Sequence, residues 1–488
     1  MSVFLNVLFF NLYTMKTILP KAAALALTAM MFVACGPSYD VPTALDSWKS
    51  DANGTVKGEE ISVTAGETLT SGGDYRNFDL TGQAYAENGA EAALLFHSDG
   101  QNGYEVLFHN GAIDGTRKTG SLSTVRNLYR SLGEDGEWFD FDIAVREKNI
   151  SIKINGTDVV CYTEPAQPYR TEANKGKVLS RGGFALVGKK GDVKFRNLTV
   201  TMLKDGVLNP NDTLPPVDET TDEIIRLQQE NFPVIDYHVH LKGGLTKEQA
   251  HAMEMNYGIN YGVAPNVGEG GVGRMLANDQ EAIEYYNEVK PMAFLMGVQG
   301  EGRRWIVQFS PEVLNKFDYL FTDAMTVVDK GRICRIYRPE EVHLDGRTKQ
   351  QYMDMIVDQT VKILTNEPAD IYANATYIPE QGWNDDYDMY WTDERVDKVL
   401  DVLEKYDIAL EISPRYKIPS FNVIKKAKAR GLKFTFGTNN VDADFGRCEY
   451  AIQAIKECGI TSDDIWFPSM SKRANRVAVD YNHFADKK

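Results

Sequence analysis

Val234-Ile-Asp-Tyr-His-Val-His240 is an apolar run ending in two histidines one residue apart, and it decides how the C-terminal half of the chain is read. In an extended strand, residues i and i+2 point to the same side, so the segment offers two imidazoles on one face at the strand's end. Two histidines so placed are a common start to a divalent metal site. The alternative is one satisfied core histidine and one surface histidine. Working outward, short apolar runs recur at residues 259–264, 293–298, 319–322, 371–375, 409–412 and 433–437, with helix-patterned stretches at 395–406 and 421–430. Together these are about seven strand-and-helix units, which predicts a closed parallel α/β barrel with its site at the C-terminal ends of the strands.

The preceding half has a different period. From 48 to 203, short β-rich runs at 60–64, 78–80, 92–97, 104–109, 139–146, 150–154, 184–188 and 193–202 alternate with Gly, Asn and Asp turns. Spaced strands of this kind predict an antiparallel sandwich. Ile150-Ser-Ile-Lys-Ile-Asn-Gly-Thr-Asp-Val-Val160 reads as a hairpin turning at Asn155-Gly156. Lys204-Asp-Gly-Val-Leu-Asn-Pro-Asn-Asp-Thr-Leu-Pro-Pro216 is rich in breakers and lacks periodicity. The expected organisation is therefore a sandwich at 45–203, a linker at 204–222 and a barrel at 223–480, with no internal repeat or low-complexity tract.

The first residues read as an address. Met15 and Lys16, then Lys21, precede an apolar run over 22–33 that ends in Phe32-Val33-Ala34-Cys35-Gly36. Such a short run after positive charge suits a signal peptide rather than a spanning helix. The cysteine after a small residue forms a lipobox, making Cys35 the expected lipidated residue of a leader over 1–35, with Met15 the expected initiator. An uncleaved membrane anchor is the alternative. Either way the protein is expected to be exported and tethered to a bacterial membrane, in the periplasm or at the cell surface. The net charge of −16 and pI near 5.0 disfavour a phosphate backbone as partner, so no nucleic acid is expected. Hydrophobic residues at 43% and charged residues at 25% are globular proportions. None of the five cysteines forms a CxxC pair, and Cys448 and Cys458 could join only across an interrupted helix.

Certain runs of the N-terminal half are familiar in their order: Asp74-Tyr-Arg-Asn-Phe-Asp-Leu80, Asn102-Gly-Tyr-Glu-Val106, Gly136-Glu-Trp138, Ile154-Asn-Gly156 and Phe195-Arg-Asn-Leu-Thr-Val200. This half resembles the 3-keto-disaccharide hydrolase domain family, also described as 3-keto-glucoside lyase and 3-keto-glucal hydratase. The resemblance covers about a third of the chain and implies a concanavalin-like jelly roll acting on sugars oxidised at C3. A departure stands at Phe96-His97-Ser98, where members more often carry Asn-Ser-Gly followed by an arginine. Strand alternation by itself places Glu105, Leu107 and His109 on one side, and His97 approaches them if 92–97 pairs with that strand. A 3-ketone acidifies the C2 hydrogen, so cleavage needs a base, an acid for the leaving oxygen and a donor for the enediolate. Glu105, His97 and His109 are residue types that suit those roles. The competing reading of the same side chains is a solvated face of a glycan-binding module.

The run of strands in the C-terminal half resembles the PHP (polymerase and histidinol phosphatase) superfamily, with the amidohydrolases more distant. Where that family usually has a histidine after the second strand, this chain has Asn266. Its Gly-x-Glu is Gly297-Val-Gln299, with Glu301 two places on, and its later histidines map near Asp323 or Met325 and near Asn374. Its final Asp-x-His becomes Gly437-Thr-Asn-Asn-Val441. Two site readings follow. In one, a single divalent metal (Zn, Mn or Fe) sits on His238 and His240 with Glu301 or Asp323, which also serve as catalytic carboxylates. In the other, a metal-free barrel binds a carbohydrate through Asn266, Asn374, Asn439 and Asn440. Arg303, Arg304, Trp305, Glu411 and Arg415 would line the same rim, the indole stacking on a sugar face. The expected function is an extracytoplasmic carbohydrate-processing lipoprotein, a hydrolase or lyase acting on 3-keto-glycosides. A non-catalytic glycan-binding protein and a metal-dependent phosphoesterase of PHP type are the alternatives.

Overall fold

The computed structural model describes residues 38–50, 54–268, 274–379, 383 and 387–473, so the leader read over 1–35, Cys35 included, lies outside the described residues. The N-terminal part consists of two antiparallel sheets. One runs Pro42–Ala44, Asp192–Leu203, Asn77–Ala86, Trp138–Arg146, Asn149–Ile154, Thr157–Thr163, with Glu60–Thr64 also paired to Asp192–Leu203. The other runs Gly54–Lys57, Ser47–Ser50, Thr68–Ser71, Gly183–Lys190, Glu91–Ser98, Tyr104–Phe108. Period-two burial holds them together: Phe78, Leu80, Ala84 and Ala86 of one strand enter a core with Phe108, Phe141 and Phe195. Phe108 meets Phe141 and Phe195 edge-on at centroid distances of 5.1 and 5.0 Å. The predicted hairpin forms, with Lys153 opposite Asp158 and Ile154 opposite Thr157. Its two turn residues have φ of 50° and 79°, which Asn and Gly accept and most residues do not.

The C-terminal part is a closed parallel barrel of seven strands: β1 (Ile235–Val239), β2 (Asn260–Val263), β3 (Leu295–Glu301), β4 (Tyr319–Thr322), β5 (Ile371–Tyr372), β6 (Ala409–Ile412) and β7 (Phe434–Phe436). Each apolar run of the sequence supplies one of them. Closure comes from β7 pairing with β1 and from β2 pairing with β3 through Gly262–Leu295 and Val263–Met296. Tyr319 crosses the barrel to donate to the Tyr237 carbonyl at 2.6 Å. Glycine is required at 262 and 297, since a Cβ there would stand 2.2 and 2.3 Å from the Tyr319 side chain. Amphipathic helices surround the strands. In Asp393–Tyr406, for example, Val396, Val399, Leu400 and Leu403 are buried at helical spacing. The helix Glu449–Cys458 is unbroken, and Cys448 and Cys458 are free thiols, as their spacing demands.

The two parts are joined by more than the linker. The sandwich segment after Tyr104–Phe108 caps the barrel at the end where its strands begin. Arg126 donates to the carbonyls of Met255 and Asn256 at 3.0 and 2.7 Å, and Arg130 donates to that of Phe294 at 2.5 Å. Asn260, the first residue of β2, exchanges hydrogen bonds with Tyr129 N and the Asn127 carbonyl at 3.2 and 2.8 Å. The linker is pinned against the sandwich too: buried Glu219 accepts from Tyr162, Tyr169 N and Arg170 at 2.7, 2.8 and 2.8 Å.

Candidate active site

The opposite end of the barrel, where the strands finish, opens into a cup of about 380 Å³. β1 delivers its two histidines there, their ring centroids 5.0 Å apart. Buried neighbours fix the backbone beneath them. Asp236 accepts from His238 N at 3.1 Å and from Thr438 N at 3.0 Å, tying β1 to the end of β7. Asn440 accepts from His240 N at 2.7 Å and donates to the His240 carbonyl at 3.0 Å. Both amide groups of Asn440 are therefore spent on holding the histidine, and the ligand contact read for it from the sequence is corrected to a positioning role.

The two histidines end up differently. His238 has Nδ1 2.8 Å from Glu411 Oε2 and Nε2 3.1 Å from Gln299 Oε1, so both its nitrogens are engaged. His240 gives only Nδ1, 2.7 Å from the Ala264 carbonyl, and its buried Nε2 makes no hydrogen bond among the described residues. Burial, then the neighbouring His238 and Lys242, hold His240 well below the ordinary imidazole range. It is therefore neutral, with Nδ1–H donating and an Nε2 lone pair left over. Glu411 is likewise a brace, its second oxygen accepting from Asn374 N at 2.7 Å. Gly437 lets it approach, for a Cβ there would sit 1.9 Å from Glu411 Oε2.

Across the cup lie two buried carboxyls, Glu301 on β3 and Asp323 just after β4. The Gln299 amide donates to Glu301 Oε1 at 3.4 Å and Asp323 Oδ2 at 3.3 Å. Burial, then the charge of Asp323, pushes Glu301 well above the carboxylate range, and burial also raises Asp323. Both shifts favour the protonated form of the pair. Asn374, with φ of 44°, is fully buried in the lining and leaves both amide atoms unpartnered among the described residues. Asn266 and Asn439 also line the cup, and Arg415 stands exposed at its rim, donating to the Asn439 carbonyl at 2.9 Å.

Two expected rim residues are elsewhere. Trp305 is fully buried and donates to Glu367 Oε2 at 3.0 Å, and Arg303 pairs with Glu367 Oε1 at 2.5 Å. Gly300 makes room for the indole, since a Cβ there would stand 2.3 Å from it. The indole therefore cannot stack on a sugar. Lys242, Tyr337 and Tyr416 line the cup instead. Proximity to the histidine pair and to Arg415 could have pointed to Lys242 and Tyr416. Tyr337 follows the antiparallel pair Thr326–Asp329 and Arg332–Arg335, a local insertion that no strand period announces.

The metal set read from the sequence does not fit this geometry. His238 directs its second nitrogen to an amide, Gln299 lies between the two carboxyls, and no group of three His, Cys, Asp or Glu side chains converges to hold an ion among the described residues. The amides that line the cup, Asn266, Gln299, Asn374 and Asn439, offer neutral oxygens and N–H donors, which suit hydroxyl groups.

The sandwich residues are brought together only in part. The strand alternation holds, with Tyr104, Val106 and Phe108 in the core and Glu105 on the other face. Glu105 is clasped by Lys189 and by Lys177 at 3.2 Å. Burial pushes its carboxyl up, but the two ammoniums overcome this and hold it at about 2. Strand 91–98 pairs as expected, yet His97 takes φ of 50° and turns against Phe78 and Phe96. Its nitrogens lie 2.8 Å from the Arg76 carbonyl and 3.1 Å from Ser180 N. His109 lies just past its strand, 3.1 Å from both the Ala90 carbonyl and Thr116 Oγ1. The three therefore do not meet.

No curated protein matches the chain. Among solved structures, a histidinol phosphate phosphatase from Lactococcus lactis, complexed with zinc, L-histidinol and phosphate, is 16% identical with a TM-score of 0.37, covering 47% of this chain and 94% of its own. A protein from Parabacteroides distasonis described as a glycosyl hydrolase is 15% identical with a TM-score of 0.30, covering 33% and 94%. The carbohydrate-binding module CBM66 of Bacillus subtilis is 15% identical with a TM-score of 0.23, covering 33% and 94%. Residues 42–201 match the family model of the 3-keto-alpha-glucoside-1,2-lyase-like domain, in agreement with the motifs of the sandwich.

Proposed function

We propose that this chain is a carbohydrate-processing hydrolase or lyase acting on 3-keto-glycosides, with its acid–base chemistry in the barrel cup. The observation that carries the proposal is a buried imidazole, His240, whose Nε2 has no partner among the described residues, set across the cup from two buried carboxyls, Glu301 and Asp323, bridged by the Gln299 amide. In cleavage of a 3-keto-glycoside, His240 Nε2 takes the C2 proton and the electron pair forms the C1–C2 double bond. The C1–O bond breaks, and the leaving oxygen takes the proton of Glu301. The Asn374 amide N–H is a suitable donor to the enediolate oxygen at C3. The match of residues 42–201 to a 3-keto-glucoside lyase-like family supports the substrate class.

That same match favours a second reading, in which the sandwich carries the reaction through Glu105. Turnover of a 3-keto-glucoside by the full chain separates the two. On the cup reading, Glu301→Gln and His240→Ala each abolish turnover, Glu105→Gln does not, and a chelator leaves the rate unchanged. The reverse pattern for the glutamates moves the chemistry to the sandwich, and loss on chelation reinstates a metal. Export and lipid attachment at Cys35 belong to the proposal and rest on the charged-then-apolar run before it. Incorporation of labelled palmitate that persists in Cys35→Ala would remove them.

A further inference from the structure

The cup is polar in two layers, and only the inner one is accounted for by acid–base chemistry. Buried His240, Glu301, Asp323 and Asn374 form the floor, while half-buried Lys242 and exposed Arg415 stand at the mouth. The Lys242 ammonium has no ion pair or hydrogen bond among the described residues. The Arg415 guanidinium donates to a backbone carbonyl and lies 4.7 Å over the Tyr416 ring, with no carboxylate partner among the described residues. By contrast, Arg347, Arg430, Arg395 and Lys426 on the barrel all meet aspartates within 2.9 Å. Two neighbouring cations at the entrance of a cup, neither in ion-pair contact with a carboxylate among the described residues and only Lys242 feeling the charge of Glu301 deeper in, suit a negative charge brought from outside.

We infer that the cup takes an acidic saccharide, whose single carboxylate is held between Lys242 and Arg415 while its hydroxyls meet the amide of Asn374. The inference rests on the reading that the cup binds carbohydrate, and it names the class. A carboxylate suits the site better than a phosphate dianion, because a carboxyl pair sharing one proton still leaves a negative charge on the floor to repel further charge. Tyr337 and Tyr416 supply aromatic lining that the sequence had assigned to Trp305.

The test is calorimetric titration of the full chain with glucuronate, glucose 6-phosphate and glucose, in the wild type and in Lys242→Gln/Arg415→Gln. Both positions lie at the mouth, so the fold is not at risk. Glucuronate is expected to bind about tenfold tighter than glucose, an effect of about 1.4 kcal/mol. The double variant is expected to erase that preference while leaving glucose affinity within about twofold. Equal binding of glucuronate and glucose, or a preference that survives the double variant, overturns the inference while leaving the carbohydrate reading standing. Tighter binding of glucose 6-phosphate than of glucuronate overturns the carboxylate in favour of phosphate. Absence of binding by all three overturns the inference together with the carbohydrate reading.

Discussion

Two glutamates, the half-buried Glu105 on the sandwich face and the buried Glu301 in the barrel cup, sit in polar clusters and are driven in opposite directions. Glu105 meets Lys177 and Lys189, and their charges outweigh its burial. Glu301 meets Asp323, and that like charge adds to its burial. The first cluster has satisfied its charge internally and holds a fixed carboxylate. The second has left a proton, a lone pair on His240 and the Asn374 amide unsatisfied. Perturbed groups in a cleft mark a site because such arrangements cost stability unless a ligand completes them. The distinction matters because the family-model match falls on the first region and the open chemistry on the second. The two also lie on different sides of the barrel, since the sandwich caps the end opposite the cup.

The largest expected effect tests that contrast directly. Glu301→Gln or His240→Ala should lower turnover of the substrate by about 10²–10⁴-fold, the usual range for removing a general acid or base. Glu105→Gln should leave the rate within about twofold. Equal losses in both regions would mean that the sandwich contributes chemistry as well, and the comparison would fail.

Stability against pH sharpens the same contrast with a smaller effect. The folded-state value of about 2 for Glu105 is below its unfolded value of 4.5, so its contribution is complete above pH 4.5 and is lost as pH falls toward 2. Its size is at most about 3 kcal/mol. Glu301 has the opposite sign. Its raised value stabilises the fold at acid pH, and that contribution is lost as pH rises through the folded-state value. Urea midpoints of Glu105→Gln should therefore converge on the wild type at low pH, and those of Glu301→Gln should exceed it at pH 8. A Glu301→Gln protein no more stable than wild type at pH 8 would show that the carboxyl is not held protonated.

Much of this was legible in the sequence, and the reasons are specific. The seven apolar runs are buried on both faces of the barrel, so each stands out as a continuous stretch, and the strand ends placed His240, Asn266, Glu301, Asp323, Asn374, Arg415 and Asn439 around one cup. What could not be read is where each side chain spends its hydrogen bonds. Asn440 and Glu411 occupy the expected strand ends yet turn to backbone and histidine, because the atoms they meet come from β1 and β5. His97 escaped its predicted face through one residue of positive φ, an event that alternation does not register. A metal set was plausible from HxH, but whether a third donor converges depends on Gln299, whose amide reaches three neighbours.

Trp305 gives the smallest test. Its indole N–H donates to Glu367, which also holds Arg303, so Trp305→Phe should remove one charge-assisted hydrogen bond and cost about 1.5 kcal/mol. Sugar affinity should not change, because the ring packs against Gly300 and is not part of the cup lining. The measurement is a thermal melt beside a sugar titration. A stable Trp305→Phe protein with weakened sugar binding would restore the indole to the rim, and would mean that the β3 loop opens in solution to present it.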